Sequence, residues 1–229
     1  MKKSNPFVAS LLLGAFLFAA PAHAAVIAQY PFNDSTLSST DTEPNSTAGN
    51  FLGTSRTDWG YSSSGGNVFV LSRATTDSQA NAIDADDYWS FTVTPDTGYL
   101  MNLTTITFDT IHNATAGGTE DANATMSVFL RTSVDNYASD VGDIFTNAWN
   151  TTTPRSVDLS GLDFQSITAA TTFRLYVFDS GTDNPRNGSR LDNVVLNGDV
   201  VVIPEPSSVL LVGLAFAGLG LSGLLRRRR

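Results

Sequence analysis

Short runs of alternating apolar and polar residues recur along most of the chain. Tyr88 to Thr94 is the clearest: Trp89, Phe91 and Val93 fall on one face, and Tyr88, Ser90 and Thr92 on the other. Leu103 to Ile111 repeats the pattern, with Ile106 and Phe108 opposed to Thr105, Thr107 and Asp109. Ala124 to Thr132 sets Met126, Val128 and Leu130 against Ser127, Phe129 and Arg131, and Thr172 to Phe178 turns Phe173, Leu175 and Val177 inward. Ala25 to Phe32, Asn67 to Leu71, Arg155 to Leu159 and Leu191 to Val202 complete about eight predicted strands. Pro95-Asp96-Thr97-Gly98 is a turn, since Pro presets its own φ and Gly admits a positive one.

Between these runs the chain is polar. Ser35 to Gly66 is rich in Ser, Thr, Gly, Asn and Asp, and reads as a long loop or a set of weak strands anchored by Phe51, Leu52, Trp59 and Tyr61. Ala80 to Ala85 reads as a loop leading through Asp84 to Asp86 and Asp87; Asn113 to Asn123 and Ser180 to Arg190 are further loops. No segment between residues 25 and 202 has convincing helical periodicity, though Ser160 to Ala170 has room for one helical turn. The pattern predicts an all-β antiparallel β-sandwich, jelly-roll-like, with the first and last strands near the ends of the domain. An immunoglobulin-like arrangement fits the strand lengths and the long early loop less well.

Two segments break the pattern. Lys2 and Lys3, an apolar run from Phe7 to Ala20 and the Ala22-His23-Ala24 site form a signal peptide, residues 1–24, cut before Ala25. Ser207 to Leu225 is an uncharged stretch that spans roughly 28 Å as a helix, close to a bilayer's hydrocarbon thickness. Pro204 and Pro206 set its start, and Arg226, Arg227, Arg228 and Arg229 hold its far end in the cytoplasm. A plain C-terminal transmembrane anchor satisfies that physics. Pro204-Glu205-Pro206, a short apolar helix and an Arg cluster, in that order, also resemble the PEP-CTERM sorting signal of Gram-negative bacteria. The resemblance covers residues 203–229. It implies an exosortase as partner, transit through the inner membrane with a periplasmic ectodomain, then a cell-surface or extracellular-matrix location. It also implies an organism that makes exopolysaccharide or biofilm. A second resemblance runs from Tyr88 to Val200: the R-x-S-x-D-x-[YF] segment at Arg131 and the L-D-N-V-x-L-x-G strand at Leu191 are similar to an ectodomain type found ahead of such tails.

Charge narrows the remaining classes. Between the two targeting segments the chain carries 7 arginines, no lysine and 21 acidic residues, a net charge of −14. Such a surface repels nucleic acid and anionic lipid. The absence of cysteine excludes thiol catalysis and disulfides, and leaves the fold to its own core. Zinc sites of the usual kind are excluded, because His112 is the one histidine outside the signal peptide. A lone histidine at a strand end is most often structural or solvated, and no G-x-S-x-G elbow accompanies it. The carboxylates Asp84, Asp86, Asp87, Asp179, Asp183 and Asp192 offer pairs for glycoside hydrolysis. Calcium has candidate ligands in Asn33 and Asp34, at the end of the first strand, and Asp192 and Asn193, near the start of the last, if those strands are neighbours. Trp59, Tyr61, Tyr137 and Trp149 fall in predicted loops and are candidate stacking platforms for a glycan, whereas Trp89 is expected in the core. Seven N-x-[ST] sequons match a composition rich in Asn and Thr. The sequence predicts a non-enzymatic exported surface or matrix protein associated with exopolysaccharide. A carbohydrate-binding module with a discrete glycan site and a secreted polysaccharide hydrolase are the alternatives.

Overall fold

The computed structural model describes residues 25–33, 36–40, 43–53, 60–64, 67–72, 76–114, 125–179 and 187–203, as backbone alone at 60–64, 67–72, 113–114 and 187. Its strands are β1 (Ala25–Tyr30), β2 (Ser46–Ala48), β3 (Leu52–Gly53), β4 (Gly60–Ser64), β5 (Asn67–Ser72), β6 (Tyr88–Pro95), β7 (Tyr99–Ala114), β8 (Thr125–Thr132), β9 (Val141–Ala148), β10 (Thr151–Asp158), β11 (Thr171–Asp179) and β12 (Asn187–Val202). One helix, α1 (Gln79–Asp84), precedes β6.

The strands form two antiparallel sheets. Sheet A runs β10-β7-β12-β5-β4, with β1 also paired to β12; sheet B runs β2-β6-β11-β8-β9, with β3 also paired to β6. The predicted alternation is what builds the interior. Trp89, Phe91 and Val93 of β6, Met126, Val128 and Leu130 of β8, and Phe173, Leu175 and Val177 of β11 face Met101, Leu103, Ile106 and Phe108 of β7 and Leu191, Val194 and Leu196 of β12 in one core. Each of these large side chains contributes about 1.5–3 kcal/mol by leaving water. Tyr30 and Phe32 add an aromatic cluster with Phe51 and Phe91, at centroid separations of 5.1 to 6.4 Å.

The polar stretch before Asn67 contains β2, β3 and β4, so it is a set of weak strands. Phe51 is a buried anchor there, but Leu52 is half exposed. The Pro95–Gly98 turn forms as expected: Tyr99 donates to the Asp96 carbonyl at 3.0 Å, and Gly98 has φ 88°. Ala80 to Ala85, expected as a loop, is most of α1 instead. Ser78 caps it, its hydroxyl accepting from the Asn81 amide at 3.4 Å, and Ala82 drives it onto the protein by burying completely. The helical turn expected within 160–170 is a short 3-10 segment at Leu162–Phe164. The predicted strands missed β9, whose exposed pattern alternates weakly, and stopped β7 short at both ends. Among the described residues no helix is long and apolar enough to cross a membrane; the expected signal peptide and the helix expected over 207–225 lie outside those residues.

Candidate functional site

The outer face of sheet B follows from the same alternation. With odd-numbered residues of β6 and β11 in the core, Tyr88, Ser90 and Thr92 point out beside Thr172, Arg174, Tyr176 and Phe178. On β8, Phe129 pairs with Tyr176 and Arg131 with Arg174. α1 lies over one end of this face, where Ala82, Phe129 and Tyr176 form a second small core with Ile83, Tyr88 and Phe178. Phe129 and Tyr176 stack at 5.1 Å and 11°, and Tyr88 meets Tyr176 edge-on at 4.9 Å.

Arg174 stands at the open margin of that aromatic cluster. Its guanidinium carbon lies 4.3 Å from the centre of the Tyr88 ring and 3.7 Å from that of Tyr137, and Nη1 donates to the Tyr176 hydroxyl at 3.2 Å. Burial works against its charge, but the Tyr176 hydrogen bond and the surrounding phenols outweigh it and leave the group above its ordinary value. Burial also raises Tyr88, partly offset by the arginine beside it. No carboxylate among the described residues pairs with Arg174.

Tyr137 is held in place rather than left to swing. Asn136 and Tyr137 occupy consecutive left-handed conformations, φ 59° and 60°. That geometry is unusual for a bulky residue and costs of order 1 kcal/mol. The surrounding bonds offset it. The Tyr137 amide donates to the Thr132 carbonyl at 2.8 Å, and its own carbonyl accepts from Arg131 Nη1 at 3.0 Å. Arg131 Nε is fixed by Asp140 at 2.7 Å, and Gln79 of α1 donates to the other oxygen of Asp140. Asp135 accepts from the amides of Ala138 and Ser139 at 3.2 and 2.9 Å. A cleft of about 460 Å³ opens beside this loop, lined in part by Thr132, Asp135, Asp140 and Phe164.

Trp149 does not join Tyr137. Trp149 sits in the β9–β10 turn, next to Ala148, which pairs with Thr125 at the start of β8. Tyr137 follows the end of β8, so the two rings are separated by an eight-residue strand, roughly 25 Å. Trp149 packs instead on His112, edge to face at 5.0 Å. Tyr61 lies on β4 opposite Val70, not in a loop; its side chain, and Trp59, lie outside the description.

At Trp149's end of the molecule, polar residues are sealed in. His112 of β7 is fully buried, and its Nε2 lies 3.0 Å from Asp179 of β11, so the pair links the two sheets. Ser189 of β12 lies directly opposite His112, also fully buried. A Ser, a His and an Asp therefore converge from three strands, which no local motif could announce. They form no relay: among the described residues Ser189 Oγ and His112 Nδ1 have no hydrogen-bond partner, and all three residues are buried.

Five of the six carboxylates proposed as hydrolytic pairs lie among the described residues. Asp84 and Asp86 lie at the end of α1. Asp87 is buried and accepts from Thr76 at 3.1 Å. Asp179 serves His112, and Asp183 lies outside the described residues. Asp192 is set opposite Asp109 of β7, a pairing that no local sequence pattern announces. Burial, with the Asp109 charge also acting in that direction, raises the Asp192 carboxyl to about 6 against the bond it accepts from the Asn193 amide.

The calcium candidates are partly brought together. β1 pairs with β12 and reaches Val194 at Tyr30, so the first and last strands are neighbours as required. Asn193, left-handed at a bulge in β12, donates to Asp109 at 2.9 Å. Asn33 is exposed three residues past Tyr30, and Asp34 lies outside the description. Among the described residues no three acidic or histidine side chains form a group able to hold a metal ion. Pro204, Glu205, Pro206 and the four terminal arginines also lie outside the described residues.

No protein-family model matches the chain, and no curated protein matches it in sequence. Solved structures resemble it distantly. A carbohydrate-binding module specific for non-crystalline cellulose, CBM28, is 10% identical over 62% of this chain and 82% of its own, at a TM-score of 0.37. The CBM22-1 xylan-binding domain of Xyn10C from Paenibacillus barcinonensis is 13% identical over 78% and 97%, at 0.33. The Stig cyclase Fisc from Fischerella sp. TAU is also 13% identical, over 77% and 89%, at 0.33. Likeness of that order reaches binding modules and a cyclase alike, and it decides neither ligand nor reaction.

Proposed function

We propose that this is a non-enzymatic, exported surface or matrix protein that binds a glycan on the outer face of sheet B. One observation carries the reading: Tyr137, half-buried and fixed over Arg174, with Tyr88 and Tyr176 beside it. A sugar ring needs a flat apolar platform next to fixed polar groups, and preorganisation lowers the entropy cost of binding. Export and sorting rest on the signal peptide and on the PEP-CTERM-like tail, with exosortase as the processing partner and exopolysaccharide as the setting. The non-enzymatic reading is supported by the enclosure of Ser189, His112 and Asp179.

The fold reading can be made finer on the same terms. Setting aside the short or peripheral strands, β1-β12-β7-β10 faces β6-β11-β8-β9, and that order supports a jelly roll.

A glycan array with the full-length protein tests the function. Saturable binding to at least one glycan is expected, weakened at least tenfold by Tyr137→Ala. Binding that Tyr137→Ala leaves intact moves the site elsewhere, and no saturable binding to any glycan removes the reading.

A further inference from the structure

We infer that the glycan is acidic, and that Arg174 receives a carboxylate carried by one of its sugars, as in a polyuronate. This rests on the glycan-binding reading above and names the ligand class for the same face. In an ectodomain with 21 acidic residues and 7 arginines, an arginine in a folded region has many potential carboxylate partners. Arg131 has taken one, Asp140. Arg155 is satisfied in another way, by the Thr146 carbonyl at 2.6 Å, Asn147 at 2.8 Å and Thr110 at 3.3 Å. Among the described residues Arg174 has one hydrogen bond, to a neutral hydroxyl, and it is half-buried. No carboxylate among the described residues offsets its positive charge, which rests on the Tyr88 and Tyr137 rings and the Tyr176 hydroxyl.

The geometry selects a planar anion. The Tyr88 and Tyr137 rings fix the orientation of the guanidinium plane, and Nη1 is engaged by Tyr176. The donors left over lie along the edge of a flat fork, which matches the two oxygens of a carboxylate. The ring of Tyr137 lies within 3.7 Å of that charge, so stacking and ion pairing would fall on one sugar unit. The protein's overall charge sharpens the case. A surface this acidic repels polyanions at long range, and at physiological salt that repulsion is screened beyond about 8 Å. Any acidic polymer that binds must be held by a local, specific contact.

The test compares polymers on the full-length protein at about 0.15 M salt, by affinity electrophoresis and calorimetry. Polygalacturonate, the same polymer after chemical reduction of its carboxyls, neutral xylan and cellulose derivatives, and dextran sulfate are the probes. Saturable binding to polygalacturonate is expected, at least tenfold weaker for the carboxyl-reduced polymer. Arg174→Gln should remove it by a similar factor, and Arg174→Lys should restore only part, since it keeps the charge and loses the fork. Circular dichroism and a thermal melt establish that the variants are folded. The carboxyl-reduced polymer decides the matter on the unaltered protein should Arg174→Gln fail to fold. Binding to neutral polymers alone overturns the acidic assignment and leaves the glycan-binding face standing. Equal binding to dextran sulfate overturns the carboxylate assignment in favour of general anion attraction. No binding to any polymer overturns both readings.

Discussion

Two polar side chains of this sandwich, Arg174 and His112, are held by similar means to opposite ends. Each lies against an aromatic ring and is fixed by a hydrogen bond, Arg174 to Tyr176 two residues along its own strand and His112 to Asp179. His112 is fully buried and joined to a carboxylate on the facing sheet. Arg174 is on an outer face, half-exposed, with no carboxylate partner among the described residues. The first arrangement uses polarity to fasten two sheets at one end. The second leaves polarity uncompensated at the surface, beside a loop that holds a bulky residue in an unfavourable conformation. Stability alone explains the first and gives no reason for the second.

Substitutions can separate the two. The largest effect is expected at the sealed end. His112→Ala removes one partner of a buried pair, leaves a cavity under Trp149, and should lower stability by about 3 kcal/mol or more in chemical denaturation. Glycan affinity should change less than twofold wherever the variant is folded. A large loss of affinity with the fold intact would break the comparison, by making the buried pair part of the site.

An intermediate effect is expected at Asp192, where folding raises the carboxyl to about 6. Between pH 4 and pH 6 the native state holds a proton that the unfolded chain has released. This group's contribution to stability therefore falls as pH rises through that window, and is least favourable above it. Asp192→Asn should raise the stability at pH 7.5 by roughly 1–2 kcal/mol and flatten that part of the pH profile. A hard cation between Asp109 and Asp192 would relieve the same penalty. A calcium-induced rise in the melting midpoint that Asp192→Asn abolishes would locate the ion there, and an unchanged midpoint in EDTA would speak against it.

The smallest effect is expected at Gln79, which reaches from α1 to Asp140 behind the Tyr137 loop. Gln79→Ala should cost a few tenths of a kcal/mol in stability, and two- to threefold in glycan affinity through looser positioning of Tyr137. An unchanged affinity would show that Arg131 alone suffices to set the loop.

The sequence made the interior legible and the site mostly not. Trp89, Phe91 and Val93 announce their face because a strand alternates strictly and water sorts the two sides. Phe129 breaks that sorting, and the reason lies 47 residues upstream: Ala82 of α1 covers it. α1 looks like a loop in the sequence because six residues are too few to display a period; the Ser78 cap shows itself only in the structure. Tyr137 was identifiable as an aromatic in a loop. That it covers Arg174, and that Trp149 is distant, depends on strand order, which alternation does not encode. Asp109 is silent in the sequence for the same reason, since it meets Asp192 only through the pairing of β7 with β12. The expected targeting segments are the reverse case: the features that suggest them are local in the sequence, an apolar run beside lysines at one end and beside arginines at the other.

The longest ladder in the protein also sets its mechanics. β12 pairs with β7 from Asn187 to Val202, is flanked on its other edge by β5 and then β1, and hands the chain on at Ile203, whose amide still bonds to Gly98 at 2.8 Å. Tension drawn through Ile203 pulls along the axis of a central strand. The hydrogen bonds on both of its edges then resist together, in shear, instead of parting one by one as at a peeled edge. Gly198 contributes to that grip, because a Cβ there would lie 2.4 Å from the Asn102 carbonyl and the two backbones could not close so tightly. A domain tethered through that point and dragged by a bound polymer would hold at its exit strand and give way elsewhere first.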